Sequence, residues 1–238
     1  MAQADQDTYA TRVMNQQGWS AEMRLGLLAQ LGNRALSPLT RNNLAIGILR
    51  NGSGTTDLEQ ALWTAYDDVS EDPVWREYTI QFMAVCLEEG STAAGSRTRV
   101  LDAFHGGGAM AATAAIQLNR LADKAVVPLP EDFATILVDR AKDPKLAPAQ
   151  RSTLLGIIGM RQITAGGAVA RGYLTDADMT MRRTAFACLG DLGGPEDLPA
   201  IELGLTDSHP LVQMAAAGAK EKIAKRVTIQ NIPRPNKD

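Results

Sequence analysis

An all-α fold, built as a stack of short helix pairs, is what this sequence predicts, and three observations carry the prediction. The first is composition: only 5% of residues are aromatic, Ala, Leu and Gly are abundant, and β-branched runs are scarce, which favours close-packed helices over sheet. The second is punctuation, since Leu- and Ala-rich stretches of helical length alternate with Ser, Asp, Pro and Gly at cap positions. The third is self-similarity: residues 182–190, "RRTAFACLG", repeat the basic, small, apolar and Gly positions of residues 151–159, "RSTLLGIIG", at a step of 31. The same step carries Asp176 to Asp207, Met181 to Val212, Ala185 to Ala216 and Cys188 to Ala219, so three consecutive units share one phase.

Taken in order, the chain reads as about five pairs between two capping helices. "SAEMRLGLLAQLG" opens the stack. First helices follow in "SPLTRNNLAIGILRNG", "DPVWREYTIQFMAVCLEEG", "MAATAAIQLNRLA" and the two aligned segments above. Second helices lie between them in "TTDLEQALWTAYDDV", "GSRTRVLDAFH", "PEDFATILVDRAKD", a poorer "ITAGGAVARGYL" and "PEDLPAIELGLTD". Thr55, Ser96, Pro130 and Pro195 are expected as helix starts; Asn51-Gly52, Gly106 to Gly108 and Gly193-Gly194 are expected as stops. "SHPLVQMAAAGAKEKIAKR" closes the stack. A single domain over 1–226 is expected, with 227–238, which holds two prolines, leaving it as an extended or flexible tail. Repetition has a physical reason: a short helix hairpin cannot bury its apolar stripe alone, so neighbouring pairs must cover each other.

Composition also excludes. With 238 residues, 45% of them hydrophobic, the chain can bury a full core, so it is not a disordered segment. A formal net charge of −3 gives no general basic surface for phosphate backbones, so nucleic acid is disfavoured. No stretch approaches the ~20 apolar residues of a membrane span. "MAQADQDTYA" lacks the basic and apolar regions of a signal peptide, so a cytoplasmic location is expected; the small-x-small "AQA" keeps open an exported mature chain.

The pattern in "DADMTMRRTAFACLGDLG" and "DSHPLVQMAAAGA" resembles the short HEAT-repeat family, of the subtype seen in phycobilin-lyase-like proteins. The likeness is best over Lys145 to about Arg226 and departs at Gln213, where the family has a basic residue, and at Gly166-Gly167. It implies a right-handed α-solenoid of five to six helix pairs whose second helices line a concave face. Members of the family include scaffolds, adaptors and a few enzymes, so the likeness does not fix an activity.

Chemistry-bearing motifs are few. Cys86 and Cys188 fall on first helices separated by two intervening pairs, too far for a disulfide, and Cys188 aligns with Ala219 as a small core residue. Neither cysteines nor histidines have metal-site spacing, and no cofactor is expected. "HGGG" from His105 to Gly108 lacks an accompanying G-x-S-x-G and reads as a helix stop, and His209 before Pro210 reads as a capping turn. "GSTAAGSR", Gly90 to Arg97, lacks the Lys of a phosphate loop and reads as a plain loop.

One constellation is informative. From Asn51 to Trp75 there is no Lys or Arg, while six carboxylates occur, and all three tryptophans lie in the first third of the chain. On a helix over 58–69, Leu58, Leu62, Ala65, Tyr66 and Val69 form the apolar stripe, and Trp63 sits at its edge with Glu59 and Asp67 four residues to either side. The resemblance places that face in the groove, where Trp63 ringed by Glu59 and Asp67 would hold a basic or amphipathic protein segment. The alternative is that Trp63 fills a gap between pairs and the acids are a solvated face. The basic end, Lys220 to Lys237, suits the C-terminus of the last helix; self-association through the acidic and basic ends is less favoured.

The expectation is therefore a non-enzymatic interaction scaffold or adaptor. The alternatives are a HEAT-fold enzyme, resembling bilin lyases or alkylated-base DNA glycosylases, and an accessory subunit of a larger complex.

Overall fold

The computed structural model describes residues 3–52 and 55–230. Among these residues the structure is all-helical, with thirteen α-helices, two single-turn 3-10 segments and no strand. No helix among them is long and apolar enough to cross a membrane. The chain forms two compact units, Met1–Leu129 and Pro130–Asp238.

The first unit holds α1 (Gln3–Asn15), α2 (Ala21–Gln30), α3 (Pro38–Arg50), α4 (Thr56–Asp67), α5 (Pro73–Glu88), α6 (Ala94–Gly106) and α7 (Gly108–Asp123). In it α1, α3, α5 and α7 pack side by side in sequence, and α2, α4 and α6 form a second row against them. The second unit holds α8 (Phe133–Ala141), α9 (Pro148–Met160), α10 (Gly167–Gly172), α11 (Met179–Leu192), α12 (Leu198–Gly204) and α13 (Pro210–Gln230). There α9, α11 and α13 pack in sequence, and α8, α10 and α12 each lie on the helix that follows.

The helices start where side chains replace missing backbone partners. Ser37 Oγ accepts from Thr40 N at 3.0 Å, Asp72 Oδ1 from Val74 N at 2.8 Å, and Asp178 Oδ1 from Thr180 N at 2.8 Å. Three helices end alike. After α5, α7 and α9 a residue with φ of 91°, 55° and 52° (Gly90, Ala125, Gln162) turns the chain, and the next N–H reaches back to a carbonyl five residues earlier: Ser91 to Cys86 at 3.0 Å, Val126 to Leu121 at 2.9 Å, Ile163 to Ile158 at 3.0 Å. The buried stripes of α3 to α6, including Leu44, Ile48, Leu58, Leu62, Ile80, Met83 and Phe104, make one continuous apolar interior in the first unit.

Polar links join helices of neighbouring pairs, and two of them, Tyr173 to Ala141 and Lys222 to Asp191, span one repeat step. Arg171 holds Asp197 through two bonds, at 2.6 and 3.0 Å, and Arg182 holds Asp207 at 2.8 and 3.0 Å. Tyr173 Oη donates to Ala141 O at 2.7 Å, Lys222 Nζ to Asp191 Oδ1 at 2.6 Å, and Lys124 Nζ to Glu88 Oε2 at 2.6 Å.

Several sequence expectations shift. Helix α1 is an addition to the expected elements: only Ala10 and Val13 of its short stripe are fully buried, and most of its other residues are polar. Ser96 does not start a helix: α6 begins at Ala94, and Ser96 is buried inside it. The expected loop from Gly90 to Arg97 is a loop only as far as Ala93. Pro130 and Pro195 precede their α-helices by three residues, and Pro195 opens a 3-10 turn instead. Val69 lies beyond the end of α4 and is exposed, so it is not part of the buried stripe. Residues 227–230 continue α13, and the remainder of the expected tail lies outside the described residues. The basic residues of α13 tie it to its neighbours: Lys220 pairs with Glu202, Lys222 with Asp191, and Arg226 donates to the carbonyls of Gly190 and Gly193, each at 2.6 Å.

Candidate functional site

Helix α4 presents Glu59, Trp63 and Asp67 on one face, and that face meets α6. Glu59 is 1% exposed, so it is a wall of the interior and not a docking group. Its carboxylate accepts three hydroxyl bonds: from Ser96 Oγ at 2.5 Å, Ser91 Oγ at 2.8 Å and Thr55 Oγ1 at 3.2 Å. None of these donors is charged. What makes the buried charge tolerable is position, because Glu59 is the fourth residue of α4 and Ser96 the third of α6, so both helix N-termini lie close to it with their partial positive charge.

Trp63 is half-buried, and its Nε1 donates to Ser96 Oγ at 2.9 Å. Its ring lies against Gly95 so closely that a Cβ there would stand 2.7 Å from Cζ2, a distance no methyl group tolerates without movement. The Arg99 guanidinium lies over the ring, 5.1 Å from its centroid. Arg99 also grips Asp67 through two bonds, Nε to Oδ1 at 2.9 Å and Nη2 to Oδ2. Asp67 stays half-exposed, at 52% of its side chain, so of the three candidates it is the one a partner reaches most readily.

Two further acids of the Lys- and Arg-free segment are also met by arginines from outside it, while Asp72 caps α5. Asp68 pairs with Arg34. Glu71 pairs with Arg41 at 2.9 Å, and Arg41 is itself buried and stacked 5.1 Å from the Trp75 ring centroid. Burial pushes the Glu71 carboxyl upward, yet Arg41, the Asp72 N–H and Arg34 together hold it below its usual value. The sequence did contain the signal for these partners. From Glu59, Trp63 and Asp67, a step of 32, 33 and 32 residues lands on Ser91, Ser96 and Arg99, close to the 31-residue step visible at the other end of the chain.

Beside the seam opens a groove of about 740 Å³ between the ends of α3 and α5 and the starts of α4 and α6. Leu49, Arg50, Thr56, Glu89 and Thr92 line it, with Glu59 at its floor. Its walls mix hydroxyls, charges and short apolar side chains, a lining suited to a polar segment of another molecule.

Elsewhere the reactive groups are occupied. Cys86 and Cys188 are free and buried. Burial, with Glu59 and Glu89 near the first and Asp191 near the second, pushes each thiol up to about 12, where thiolate is scarce at neutral pH. His105 Nδ1 is 2.8 Å from Leu101 O, and His209 Nδ1 accepts from Leu211 N at 3.2 Å, so both imidazoles serve nearby backbone. Among the described residues no group of three or more His, Cys, Asp or Glu is arranged to hold a metal ion.

Set against known proteins, the chain matches no family model and no curated sequence at a significant level.

Proposed function

We propose that this chain is a HEAT-type helical-repeat scaffold that works without catalysis, holding a segment of a partner protein on the face built by α4, α6 and the groove beside them. The observation that supports this reading is the recurrence of side-chain links at one repeat step, among them Arg34 to Asp68, Trp63 to Ser96, Asp67 to Arg99, Tyr173 to Ala141 and Lys222 to Asp191. Within each unit such links tie one helix pair to another and leave the outer faces of the helices free for contact, which is how repeat proteins bind extended segments. The partner segment is basic or amphipathic in this reading, because exposed carboxylates, Glu89 and Asp67 among them, stand there.

A test must spare the packing. Replacing Glu59, Trp63 and Asp67 together would remove the seam itself, so the informative variants are Thr92→Arg, which fills the groove from an exposed position, and Asp67→Ala. Proteins captured from a lysate of the source cells by the wild type are expected to fall about tenfold with Thr92→Arg while its circular dichroism is unchanged. If the wild type retains nothing above a control, the scaffold reading fails. If a retained protein is indifferent to both variants, the binding face lies elsewhere.

A further inference from the structure

Among the described residues, helix α13 is covered on one side only. That side carries Ala216, Ala219, Lys222, Ile223 and Arg226, which meet α11 and α12: a Cβ at Gly190 would lie 2.9 Å from Ala219 Cα, and one at Gly204 2.8 Å from Ala216 Cβ. The equivalent uncovered sides of the two preceding helices do not exist, because α11 lies on α9 and α13 lies on α11. On the open side of α13, Met214, Gly218, Glu221, Lys225 and Thr228 follow one another at steps of four, three, four and three, the spacing of a seam between two helices. Met214 is 69% exposed, and the side chains of Glu221 and Lys225 are 66% and 70% exposed.

The order of residues along that seam is self-complementary. In an antiparallel pairing about a two-fold axis level with Ile223, Glu221 of one chain stands opposite Lys225 of the other, and Lys225 opposite Glu221. Gly218 stands opposite Thr228 at the next level on each side. A two-fold contact requires that residue i meet j and that j meet i, and the opposite charges here satisfy that condition twice over. Within one chain Glu221 and Lys225 are one turn apart and bond each other at 2.6 Å, so pairing across the axis exchanges that contact for two between chains. Gly218 has open space where its Cβ would be, which lets a second backbone come near, and Leu211 and Met214, one turn apart and both exposed, supply apolar surface at each end of the seam. We infer that a second copy of this chain docks here, α13 against α13, in a reversible antiparallel dimer.

The contact is one helix wide, so it belongs with weak interfaces, and a Kd on the order of 10 µM is expected. Sedimentation equilibrium of the purified protein from about 1 µM to about 500 µM reads it directly, with no need of a partner protein. The wild type is expected to double its mass across that range. Lys225→Glu alone, or Glu221→Lys alone, sets like charges against each other on both sides of the axis and is expected to weaken the dimer at least about tenfold. Mixing these two variants in equal amounts restores the opposite charges and is expected to restore association. Both positions are exposed, and circular dichroism of each variant reports that α13 is intact. A wild type that stays monomeric throughout overturns the inference and makes the Glu221–Lys225 pair a polar cap or the face a site for some other occupant. Association that neither charge reversal weakens, or that the mixture fails to restore, overturns it as well. Neither result bears on partner capture through Thr92 and Asp67, so the scaffold reading stands or falls separately.

Discussion

The Ser96 hydroxyl does two things at once: it accepts from Trp63 Nε1 and donates to Glu59 Oε1. Removing it leaves a buried carboxylate short of one donor and an indole N–H without an acceptor. Ser96→Ala is therefore expected to cost about 1–3 kcal/mol of stability, read as a lower urea midpoint. Gly95→Ala drives a methyl group into the Trp63 ring and is expected to cost about 1–3 kcal/mol in the same assay, with a shift in Trp emission that Ser96→Ala shares. The sequence allowed Glu59, Trp63 and Asp67 to be placed on one helix face, because spacing by four is a property of any helix. It did not show which side of that face was wet. That depended on Ser91, Ser96 and Arg99, which lie a repeat step away in a stretch where the repeat is degenerate, and two of the three are serines with no strong pattern of their own.

At the scale of elements, the helix ends are where local chemistry and geometry agree least. Gly90 suits its positive φ, whereas Ala125 and Gln162 hold the same conformation against the crowding of a Cβ. Ala125→Gly and Gln162→Gly are each expected to raise stability by about 0.5–1 kcal/mol, seen as a higher urea midpoint at unchanged slope. Helices with strong caps and Leu-rich stripes, such as α3, α5 and α11, were legible from the sequence. So was the weakness of the helix after Gly166-Gly167, which runs only from Gly167 to Gly172. Helix α1 was not legible, because its stripe is narrow and the residues around it resemble a polar terminus.

For the molecule as a whole, the bonds between helix pairs set its response to acid. The Arg171 guanidinium, with the Gly194 N–H, holds the buried Asp197 carboxyl below its ordinary value of 3.8, and Arg182 with the His209 N–H does the same for Asp207. A carboxyl lowered on folding adds stability that is complete above its unfolded value and is lost as pH falls through the folded one. The urea midpoint is therefore expected to be flat from about pH 6 down to about pH 4 and to drop below that, and Asp197→Asn is expected to lower the plateau and flatten the drop.

Ionic strength divides the same bonds differently. Asp67 and Arg99 meet at the surface, where salt at about 0.1 M already shortens the reach of a charge to ~10 Å. Among the described residues no cation pairs with Glu59 for salt to displace; hydroxyl groups and the starts of two helices hold it buried. Brine would loosen the rim of the α4–α6 seam while its centre held, leaving Trp63 anchored through Ser96 after its arginine lid had begun to lift.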